Sequence, residues 1–432
     1  MHMHKKTLLE TLLVGGGGRE CAIAWKLRQS PRLGKLYVAP GNAGTAQIAE
    51  NVPISATDIE GLLKFALRKG IDLTIVGQDD PLALAIVDVF QANRLKIFGP
   101  TRDAARIESS KAFSKRFMAK YGIPTSRFEV FTKHERALEH VRRHFGSSNL
   151  GKVIKASGLA LGKGVYPCGD FDEAASSLRK IMLLRTHGIA GDEVVIENFV
   201  DGPEVSMHAI SDGKTHKLFP SARDHKRLLD GDKGPNTGGM GTIAPVPKFS
   251  LYYTVHKDVI APALFGLKEE GAPFTGVLYP GLKMPKAGLT VLEFNARFGD
   301  PEAQVYMRLL ETDLLDILEA CVEGRLKELD IEWHRGYAAC VVMASEGYPD
   351  PDHKRGLTIT GIDKAESLPG VVVFHAGTKE VDGNLITSGG RVLGVSAIGD
   401  TLREAIDRAY QGVECIHFKG AHYRKDIGAA SF

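Results

Sequence analysis

The chain is poor in cysteine, with five cysteines in 432 residues. They are odd in number and widely spaced, and none forms a C-x-x-C pair. A disulfide framework needs an even set of cysteines and a zinc site needs closely spaced ligands, so the sequence predicts neither. Unpaired thiols are typical of a reducing compartment, and we therefore expect a cytoplasmic protein.

The sequence also lacks long apolar runs and long runs of one charge. No run approaches the roughly 20 apolar residues of a membrane-spanning helix, and the first residues do not have the layout of a signal peptide. The formal net charge is only +3, and there is no basic tail. The sequence therefore favours neither a membrane partner nor a nucleic-acid partner.

Glycine, in contrast, is abundant: there are 48 glycines, and many of them stand in compact clusters. Such clusters are typical of loops whose backbone approaches a ligand closely, because glycine has no side chain. With 43% hydrophobic and 25% charged residues, the composition is that of a globular protein. The length allows two to four domains.

The first hundred residues alternate short apolar strands with helical stretches, which include Ile59 to Lys69 and Leu82 to Ala92. This alternation predicts a doubly wound parallel sheet, which binds ligands at the carboxyl ends of its strands. Glycine-containing or acidic turns fall at those ends, at Gly15 to Gly18, Pro40 to Asn42 and Gly77 to Asp80.

The first of these turns joins a strand to a helix through four glycines, which Arg19 follows. A helix N-terminus at such a loop can bind an anion, and the neighbouring arginine makes a phosphate monoester a suitable ligand. The dinucleotide fingerprint G-x-G-x-x-G is not matched, because its third glycine falls on Glu20 or Cys21. A tight turn without a ligand is the alternative.

A basic helix is predicted over residues 106–124, and it should stop at Gly122 and Pro124. Lys111 and Lys115 are one turn apart, so they share a face of this helix. The pair can bind phosphate or can form a solvated face. Their spacing alone leaves both interpretations open.

A second glycine-rich loop follows the predicted strand VIKA, which ends near Lys155. Gly158, Gly162, Lys163 and Gly164 lie between this strand and the strand VYPC. A glycine hairpin with lysines at its base can cover phosphates and donate backbone N–H groups. The spacing is not that of a Walker loop, and a flexible β-turn without a ligand is the alternative.

Two further segments are candidates for ligand binding. The strand VVIENFV leads into a connector flanked by Glu197 and Glu204, whose backbone could read a nucleobase edge. Asp224, His225 and Lys226 precede GPNTGGMG, which we interpret as a substrate loop rather than a linker. His225 has no orienting partner in its neighbours, so a structural or ligand-binding histidine is favoured over a general base.

The stretch VLEFNARFGDPE predicts a strand that runs into a loop. With a two-residue period, Glu293, Asn295 and Arg297 line one side, and Leu292 and Phe294 point to the other. The two oxygen ligands suit Mg²⁺, and the guanidinium suits a carboxylate or a phosphate. An amphipathic strand with a solvated polar face is the alternative.

Twelve motifs follow one another along nearly the whole chain: VGGGGRE, APGNAGT, DLTIVG, IFGPT, SKAFSK, GLALGKGV, DHKR, GPNTGGMG, EFNARFGDPE, HAGTK, GGRVL and YRKDIG. This order resembles the phosphoribosylamine–glycine ligase (glycinamide ribonucleotide synthetase) family of ATP-grasp enzymes. The resemblance implies that ATP drives the ligation of glycine to 5-phosphoribosylamine in purine biosynthesis, through a glycyl phosphate intermediate. It also implies Mg²⁺ or Mn²⁺ as cofactor and a monomer or weak dimer.

The resemblance implies site residues position by position. Those implied to bind ATP are Lys111, Lys155, Gly162, Lys163, Gly164, Glu197, Asn198, Phe199, Val200 and Glu204. The implied metal ligands are Glu293 and Asn295, and the implied catalytic residues are Arg297 and Lys155. Those implied to border the glycine and phosphoribosylamine sites are Gly16, Gly17, Gly18, Arg19, Pro40, Gly41, Asn42, Asp224, Lys226, Asn236, Thr237, Gly238, Gly239, Arg297 and Asp300.

The chain departs from the family pattern at a few positions. Cys21 stands where the family commonly has histidine, and Gln78 and Asp79 stand where it usually has Pro-Glu. Both departures concern the implied phosphoribosylamine side. The segment GVLYPGLKM lacks the second metal carboxylate of many ATP-grasp enzymes, so phosphates and water are the expected further ligands.

The implied fold is a multidomain α/β and α+β protein. A Rossmann-like domain with a doubly wound parallel sheet is expected at 1–107, and an ATP-grasp core at 108–330. A small lid at 127–194 would interrupt the core, and a C-terminal α+β domain would follow at 331–432.

Three alternative functions are considered. Another ATP-grasp ligase, such as a carboxylase, is disfavoured by the set DHKR, GPNTGGMG and RFGDPE. A nucleotide-binding dehydrogenase is disfavoured by the failed fingerprint. A catalytically inactive ATP-binding regulator is disfavoured because Lys155, Glu293, Asn295 and Arg297 are all present.

Overall fold

The computed structural model of the protein describes residues 8–148, 150–160, 163–285 and 288–429. Gly162, which the resemblance places over the ATP phosphates, lies outside the described residues. The described chain forms sheets of five, eight and four strands, together with two two-stranded ribbons. The predicted combination of a parallel sheet with antiparallel sheets is confirmed.

The N-terminal region is a parallel sheet with helices on both faces. Its strands are β1 (Leu9–Gly15), β2 (Leu33–Pro40), β3 (Glu50–Asn51), β4 (Leu73–Val76) and β5 (Ile97–Phe98). Its helices are α1 (Gly18–Leu27), α2 (Ala43–Ile48), α3 (Ile59–Lys69), α4 (Asp79–Ala83) and α5 (Ile86–Ala92). The strand order is β3-β2-β1-β4-β5. Leu12 and Leu13 are buried in different hydrophobic clusters, as expected for a sheet that is covered on both faces.

The carboxyl ends of β1 and β2 meet, because Gly15 pairs with Pro40. This pairing brings the first glycine loop beside the turn that follows Pro40. Helix α3 has its predicted limits. The single helix predicted from Leu82 to Ala92 is wrong, because Ala85 takes a left-handed conformation with φ of 64° and separates α4 from α5.

The basic segment that follows is divided into two helices. They are α6 (Arg102–Ser109) and α7 (Lys111–Lys120). The prediction of one helix over residues 106–124 is wrong, because Ser110 is extended and caps α7. Its hydroxyl accepts a hydrogen bond from the Phe113 N–H at 3.2 Å, as an N-cap serine does. Lys111 therefore stands at the first turn of α7.

A four-stranded antiparallel sheet follows, in the region predicted as the lid. Its strands are β6 (Phe128–Phe131), β7 (Lys152–Ala156), β8 (Val165–Cys168) and β9 (Val194–Asn198), in the order β6-β9-β7-β8. Its helices are α8 (His134–Phe145) and α9 (Phe171–Leu178), and a π-helical turn (Arg179–Leu183) continues α9. Lys155 pairs with Val165, so the predicted hairpin between β7 and β8 is confirmed.

An eight-stranded sheet crosses the domain boundary that was expected near residue 330. The strands in the central segment of the chain, in this sheet and in one of the ribbons, are β10 (Glu204–Asp212), β11 (His216–Asp224), β12 (Arg227–Leu229), β13 (Lys233–Asn236), β14 (Gly241–Ala244), β15 (Thr275–Lys283) and β16 (Thr290–Asn295). The C-terminal strands are β17 (Tyr337–Ala344), β18 (Val371–His375), β19 (Thr378–Val381), β20 (Asn384–Thr387) and β21 (Arg391–Gly399). The sheet order is β16-β15-β10-β11-β14-β17-β21-β18, while β12 with β13 and β19 with β20 form the ribbons.

The central and C-terminal segments are joined within this sheet, because Thr242 on β14 pairs with Cys340 on β17. The predicted domain limits at residues 107, 127, 194 and 330 stay predictions. The remaining α-helices are α10 (Tyr252–Val255), α11 (Ala261–Glu269), α12 (Glu302–Leu309), α13 (Leu314–Val322), α14 (Ile362–Glu366) and α15 (Leu402–Cys415). Short 3-10 and π turns lie at Gly188–Gly191, His256–Ile260 and Leu326–Glu328. Among the described residues, no helix is both long and apolar enough to cross a membrane.

Candidate active site

Strand β16 carries the residues around which the site is built. Glu293 lies opposite Gly281, whereas Val291 lies opposite Leu282, so Leu292 is an extra residue in β16. Such a bulge breaks the two-residue alternation of side chains. The prediction that Leu292 points away from Glu293 is therefore wrong, and both residues line the same cavity.

Two adjoining cavities lie beside β16, with volumes of about 240 Å³ for the first and about 670 Å³ for the second. The predicted residues that line the first cavity are Lys111, Lys155, Gly164, Glu204, Asp224, Lys226, Asn236, Thr237, Gly238, Glu293, Asn295, Arg297 and Asp300. Those that line the second cavity are Lys155, Glu197, Asn198, Phe199, Val200, Glu204, Asp224, Lys226 and Asn236. The shared residues show that the two cavities are neighbours.

Other predicted residues lie outside both linings. Within the described part of the chain these are Gly16, Gly17, Gly18, Arg19, Pro40, Gly41, Asn42, Lys163 and Gly239. The first glycine loop still comes close to the site, because a Cβ at Gly17 would lie 3.6 Å from Asp300 Oδ2. The structure therefore places this loop next to the loop that follows β16.

Arg19 and Asn42 are held by protein groups in this structure. Arg19 Nε donates to Glu20 Oε1 at 2.7 Å, and Arg19 Nη1 donates to the Phe298 carbonyl at 3.0 Å. Asn42 caps α2 and donates to the Gly16 carbonyl at 3.0 Å. Both side chains thus shape the glycine loop.

Sequence reasoning missed several polar residues of the first cavity. They are Asp79, Glu108, Tyr279 and Glu302, whereas Lys115, for which the sequence left phosphate binding open, lines the cavity together with Lys111. The positions of Asp79 and Glu302 beside predicted loops could have assigned those two. Glu108 and Tyr279 carry no local signal, because only the tertiary fold brings them to the site.

Glu293 lies among cationic side chains. Burial would raise its pKa, but Lys226, Lys155 and Lys111 outweigh burial and lower the pKa to about 2. Lys226 Nζ lies 3.9 Å from Glu293 Oε1 and 3.9 Å from Glu204 Oε2. Glu293 is therefore ionised at neutral pH, and the cations around it outnumber it.

Arg297 lies just beyond the end of β16. Its Nη2 is 2.9 Å from Glu108 Oε1 and donates to Asn295 Oδ1 at 3.3 Å. Among the described residues, its Nε has no hydrogen-bond partner. Burial would lower the pKa of Arg297, but Glu108 and Asp79 raise it, so this cation is permanent and retains an unused donor.

Glu108 contacts both the Arg297 side chain and the backbone of the preceding residue. The Ala296 N–H donates to Glu108 Oε2 at 2.7 Å. Burial raises the pKa of Glu108 to about 7, although Arg297 lowers it, while the Asp79 carboxylate raises it further. This carboxyl group is therefore partly protonated near neutral pH.

Glu197, on β9, forms a buried ionic network with two lysines. Lys115 and Lys155 both form ion pairs with its carboxylate, and Ser126 donates to it at 2.8 Å. Burial would raise the pKa of Glu197, but the two lysines lower it. Lys155 also donates to the Leu292 carbonyl at 3.3 Å. The Glu197 side chain thus holds Lys155 beside β16.

Asp224 lines both cavities with an unsatisfied carboxylate oxygen. Its Oδ1 is buried and has no hydrogen-bond partner among the described residues. Burial and the neighbouring Glu302 raise the pKa of Asp224 well above its usual value. Glu302 itself accepts hydrogen bonds from Tyr279 at 2.5 Å and Ser206 at 3.0 Å. A buried carboxylate without a donor suits a ligand that brings an N–H group or a positive charge.

His225 is engaged through both ring nitrogens. Its Nδ1 lies 3.0 Å from the Gly241 carbonyl, and its Nε2 accepts a hydrogen bond from the Gly428 N–H at 3.1 Å. Burial lowers its pKa to about 4. These contacts agree with the structural role that the sequence favoured.

The oxygen donors on β16 are hard ligands of the kind that Mg²⁺ binds. The described residues contain no cluster of three or more histidine, cysteine, aspartate or glutamate side chains that could hold a metal ion. An ionised Glu293 together with the side-chain oxygen of Asn295 fits a metal that takes its other ligands from phosphates and water.

Comparison with known proteins identifies the family. The family models of the phosphoribosylglycinamide synthetase N domain, ATP-grasp (A) domain and C domain match residues 9–108, 109–303 and 338–430. The phosphoribosylamine–glycine ligase of Caldanaerobacter subterraneus subsp. tengcongensis is 48% identical over 423 residues, which are 98% of this chain and 100% of the relative. The corresponding protein of Chlorobaculum tepidum is 45% identical, over 98% of this chain and 99% of the relative.

Solved structures agree with this relationship. The crystal structure of phosphoribosylamine–glycine ligase from Thermotoga maritima superimposes with a TM-score of 0.82 at 35% identity, over 96% of this chain and 99% of that one. The biotin carboxylase domain of the Hydrogenobacter thermophilus 2-oxoglutarate carboxylase shares the fold, with a TM-score of 0.74 at 16% identity over 97% of this chain and 92% of that one. The chain is an ATP-grasp ligase that belongs to the phosphoribosylglycinamide synthetase family.

Proposed function

We propose that the chain joins glycine to 5-phosphoribosylamine and converts ATP to ADP and phosphate. The observation that carries this proposal is the grouping of Glu293, Asn295 and Arg297 with Lys111 and Lys155 in one cavity. The grouping occurs in a chain that is 48% identical to a phosphoribosylamine–glycine ligase along almost its full length.

The second cavity is the proposed site of the nucleoside part of ATP. Its volume of about 670 Å³ lies in the range of small-molecule sites. The connector Glu197 to Val200 would contact the base through backbone groups, and Glu204 would bind the ribose. Glu204 is positioned by Lys283, whose Nζ lies 3.6 Å from its carboxylate.

In the proposed first step, a glycine carboxylate oxygen attacks the γ-phosphorus of ATP. The bond from that phosphorus to the bridging oxygen of ADP breaks, and glycyl phosphate forms. Lys111, Lys155 and the loop that carries Lys163 and Gly164 would neutralise and cover the phosphates. A Mg²⁺ or Mn²⁺ ion held by Glu293 and Asn295 would neutralise further phosphate charge.

In the proposed second step, the amine nitrogen of phosphoribosylamine attacks the carbonyl carbon of glycyl phosphate. The C–N bond forms, the C–O bond to phosphate breaks, and the nitrogen loses a proton. Arg297 would hold the glycine carboxylate and then the acyl phosphate. No side chain forms a covalent bond with substrate, because activation as an acyl phosphate already divides the ligation into two easier steps.

The remaining predicted residues would surround the amine and the glycine. Asp224 has a buried carboxylate oxygen without a partner in the described chain, which suits an amino group. The residues proposed with it are Gly16, Gly17, Gly18, Arg19, Pro40, Gly41, Asn42, Lys226, Asn236, Thr237, Gly238, Gly239 and Asp300. The predicted cytoplasmic location and the monomeric or weakly dimeric state stay predictions.

An assay of ADP release with each substrate omitted in turn tests this proposal. We expect ADP to form only when glycine, phosphoribosylamine, ATP and a divalent cation are all present. Alanine in place of glycine serves as the matched amino-acid control. Equal turnover without glycine would contradict the proposal, and so would an ATP-binding chain that releases no ADP under any combination.

A further inference from the structure

Gly238, in the loop between β13 and β14, is held at both polar groups of its backbone by side chains from the C-terminal segment. Its N–H donates to the Tyr348 hydroxyl at 2.9 Å. Its carbonyl accepts a hydrogen bond from Arg391 Nη1 at 2.6 Å. Thr237 in this loop and Asn236 at the end of β13 line the first cavity.

Arg391 also holds the loop that follows β16. Its Nη1 donates to the Asp300 carbonyl at 2.8 Å, and its Nη2 donates to Asp300 Oδ2 at 2.9 Å. One guanidinium thus fixes Asp300 through both backbone and side chain while it fixes Gly238. The planar guanidinium allows this, because its donors are fixed in direction relative to one another.

The first glycine loop meets the same place. Cβ atoms at Gly17 and Gly18 would lie 3.6 Å and 3.7 Å from the carboxylate oxygens of Asp300. Gln304 donates to Asp300 Oδ1 at 2.8 Å, so protein groups engage both carboxylate oxygens of Asp300. Three loops from distant parts of the chain therefore converge where Arg391 acts.

We propose that Arg391, assisted by Tyr348, is a positioning residue that aligns the Gly238 loop with the Asp300 loop for phosphoribosylamine and glycine. This inference rests on the function proposed above. The Arg391 guanidinium donates to protein acceptors in these two loops, so it acts through the loops rather than on substrate. Within the described part of the chain, Arg391 donates no hydrogen bond to the connector Glu197 to Val200, and ATP binding should therefore be spared.

Substitution of Arg391 by glutamine is the main test. The variant keeps a polar side chain but loses the fork that joins the two loops. Because small misplacements of substrate-positioning groups have large kinetic effects, we expect the KM for phosphoribosylamine to rise at least about tenfold. The KM for ATP should stay within about twofold of wild type. For Arg391→Lys, the KM for phosphoribosylamine should lie between those of wild type and Arg391→Gln, since one ammonium group can replace only some of the hydrogen bonds that the guanidinium donates.

Arg408→Gln is the matched control. Arg408 also lies in the C-terminal segment and makes comparable contacts, to Glu404 and to the Ile398 carbonyl, but neither loop is among its partners. It should leave all KM values unchanged. Tyr348→Phe removes one hydrogen bond to Gly238 and should produce a smaller rise in the KM for phosphoribosylamine than Arg391→Gln.

Amide hydrogen exchange supplies a second measurement that does not depend on turnover. Faster exchange confined to residues 236–241 and 298–302 in Arg391→Gln supports the inference. An Arg391→Gln enzyme with wild-type KM values and unchanged exchange overturns it, and so does an equal change in the KM for ATP and for phosphoribosylamine. A wild-type enzyme that shows no glycine-dependent ADP release contradicts the proposed function instead.

Discussion

Glu293 and Glu108 line the same cavity, yet their pKa values move in opposite directions. The Glu293 side chain is 31% exposed and lies among three lysines and an arginine, and its pKa falls to about 2. The Glu108 side chain is 8% exposed and has Arg297 as its ion-pair partner with Asp79 nearby, and its pKa rises to about 7. Burial raises the pKa of both carboxylates, so the number and sign of the neighbouring charges decide the charge of each one.

The difference divides the cavity into two parts with different electrostatics. Around Glu293 the cations are in excess, which suits the several negative charges of a nucleoside triphosphate. Around Glu108, the charge of Arg297 is already balanced by one protein carboxyl group, that of Glu108. This arrangement suits a ligand with a single carboxylate, which would compete with Glu108 for the Arg297 guanidinium. The three predictions that follow test this division, from the largest expected effect to the smallest.

Glu293→Gln should have the largest effect. It removes the ionised carboxylate that faces the lysines and the proposed metal ligand, while it preserves the size of the side chain. We expect turnover to fall at least about 1,000-fold, which corresponds to about 4 kcal/mol of activation free energy, with only a modest loss of folding stability.

Steady-state ADP release and thermal unfolding measure the two effects. Glu60→Gln is the matched control, because Glu60 is exposed on α3, far along the chain from Glu293, and forms an ion pair with Lys64. A fully active Glu293→Gln enzyme would remove the assignment of Glu293 to the metal and the phosphates.

Glu108→Gln should change the pH dependence of stability. The pKa of Glu108 in the folded chain is about 7, above its ordinary value of 4.5. A raised carboxyl pKa means that the folded state holds the proton more tightly, so this contribution is complete below pH 4.5 and is lost as pH rises through 7. The loss amounts to at most about 3 kcal/mol.

Denaturant unfolding of wild type and variant, measured from pH 4.5 to pH 7.5, tests this sign. The free energy of unfolding of the variant should decline less than that of wild type over this window. Parallel curves would show that Glu108 titrates at its ordinary pKa and would remove the contrast with Glu293.

Arg297→Lys should have the smallest of the three effects. A lysine retains the charge but cannot donate two parallel hydrogen bonds to a carboxylate. We expect kcat/KM for glycine to fall about tenfold, near 1.4 kcal/mol, while the KM for ATP changes little. An equal loss for glycine and ATP would show that Arg297 serves the whole cavity.

Local patterns were sufficient to predict which residues of the segment around β16 lie together. Glu293, Asn295 and Arg297 stand close together in the chain, so a strand and its exit loop bring them into one cavity. The glycine loop after β1 could also be placed, because parallel strands put their carboxyl ends at one edge of a sheet.

Contacts between distant segments could not be predicted in this way. The bulge at Leu292 depends on pairing with β15, which periodicity within β16 does not reveal. Glu108 accepts from the Ala296 N–H across 188 positions of the chain. Arg391 reaches Gly238 from beyond the boundary that was predicted at residue 330. Each of these contacts follows from tertiary packing rather than from a local motif.

Isotope transfer from glycine to phosphate tests the central claim most directly. Glycine labelled with ¹⁸O in its carboxylate would be supplied with ATP and phosphoribosylamine, and the released phosphate would be examined by mass spectrometry. The account predicts one glycine-derived oxygen in each phosphate released, because the carboxylate attacks the γ-phosphorus. Phosphate without the label, formed while ligated product accumulates, would contradict a glycyl phosphate intermediate.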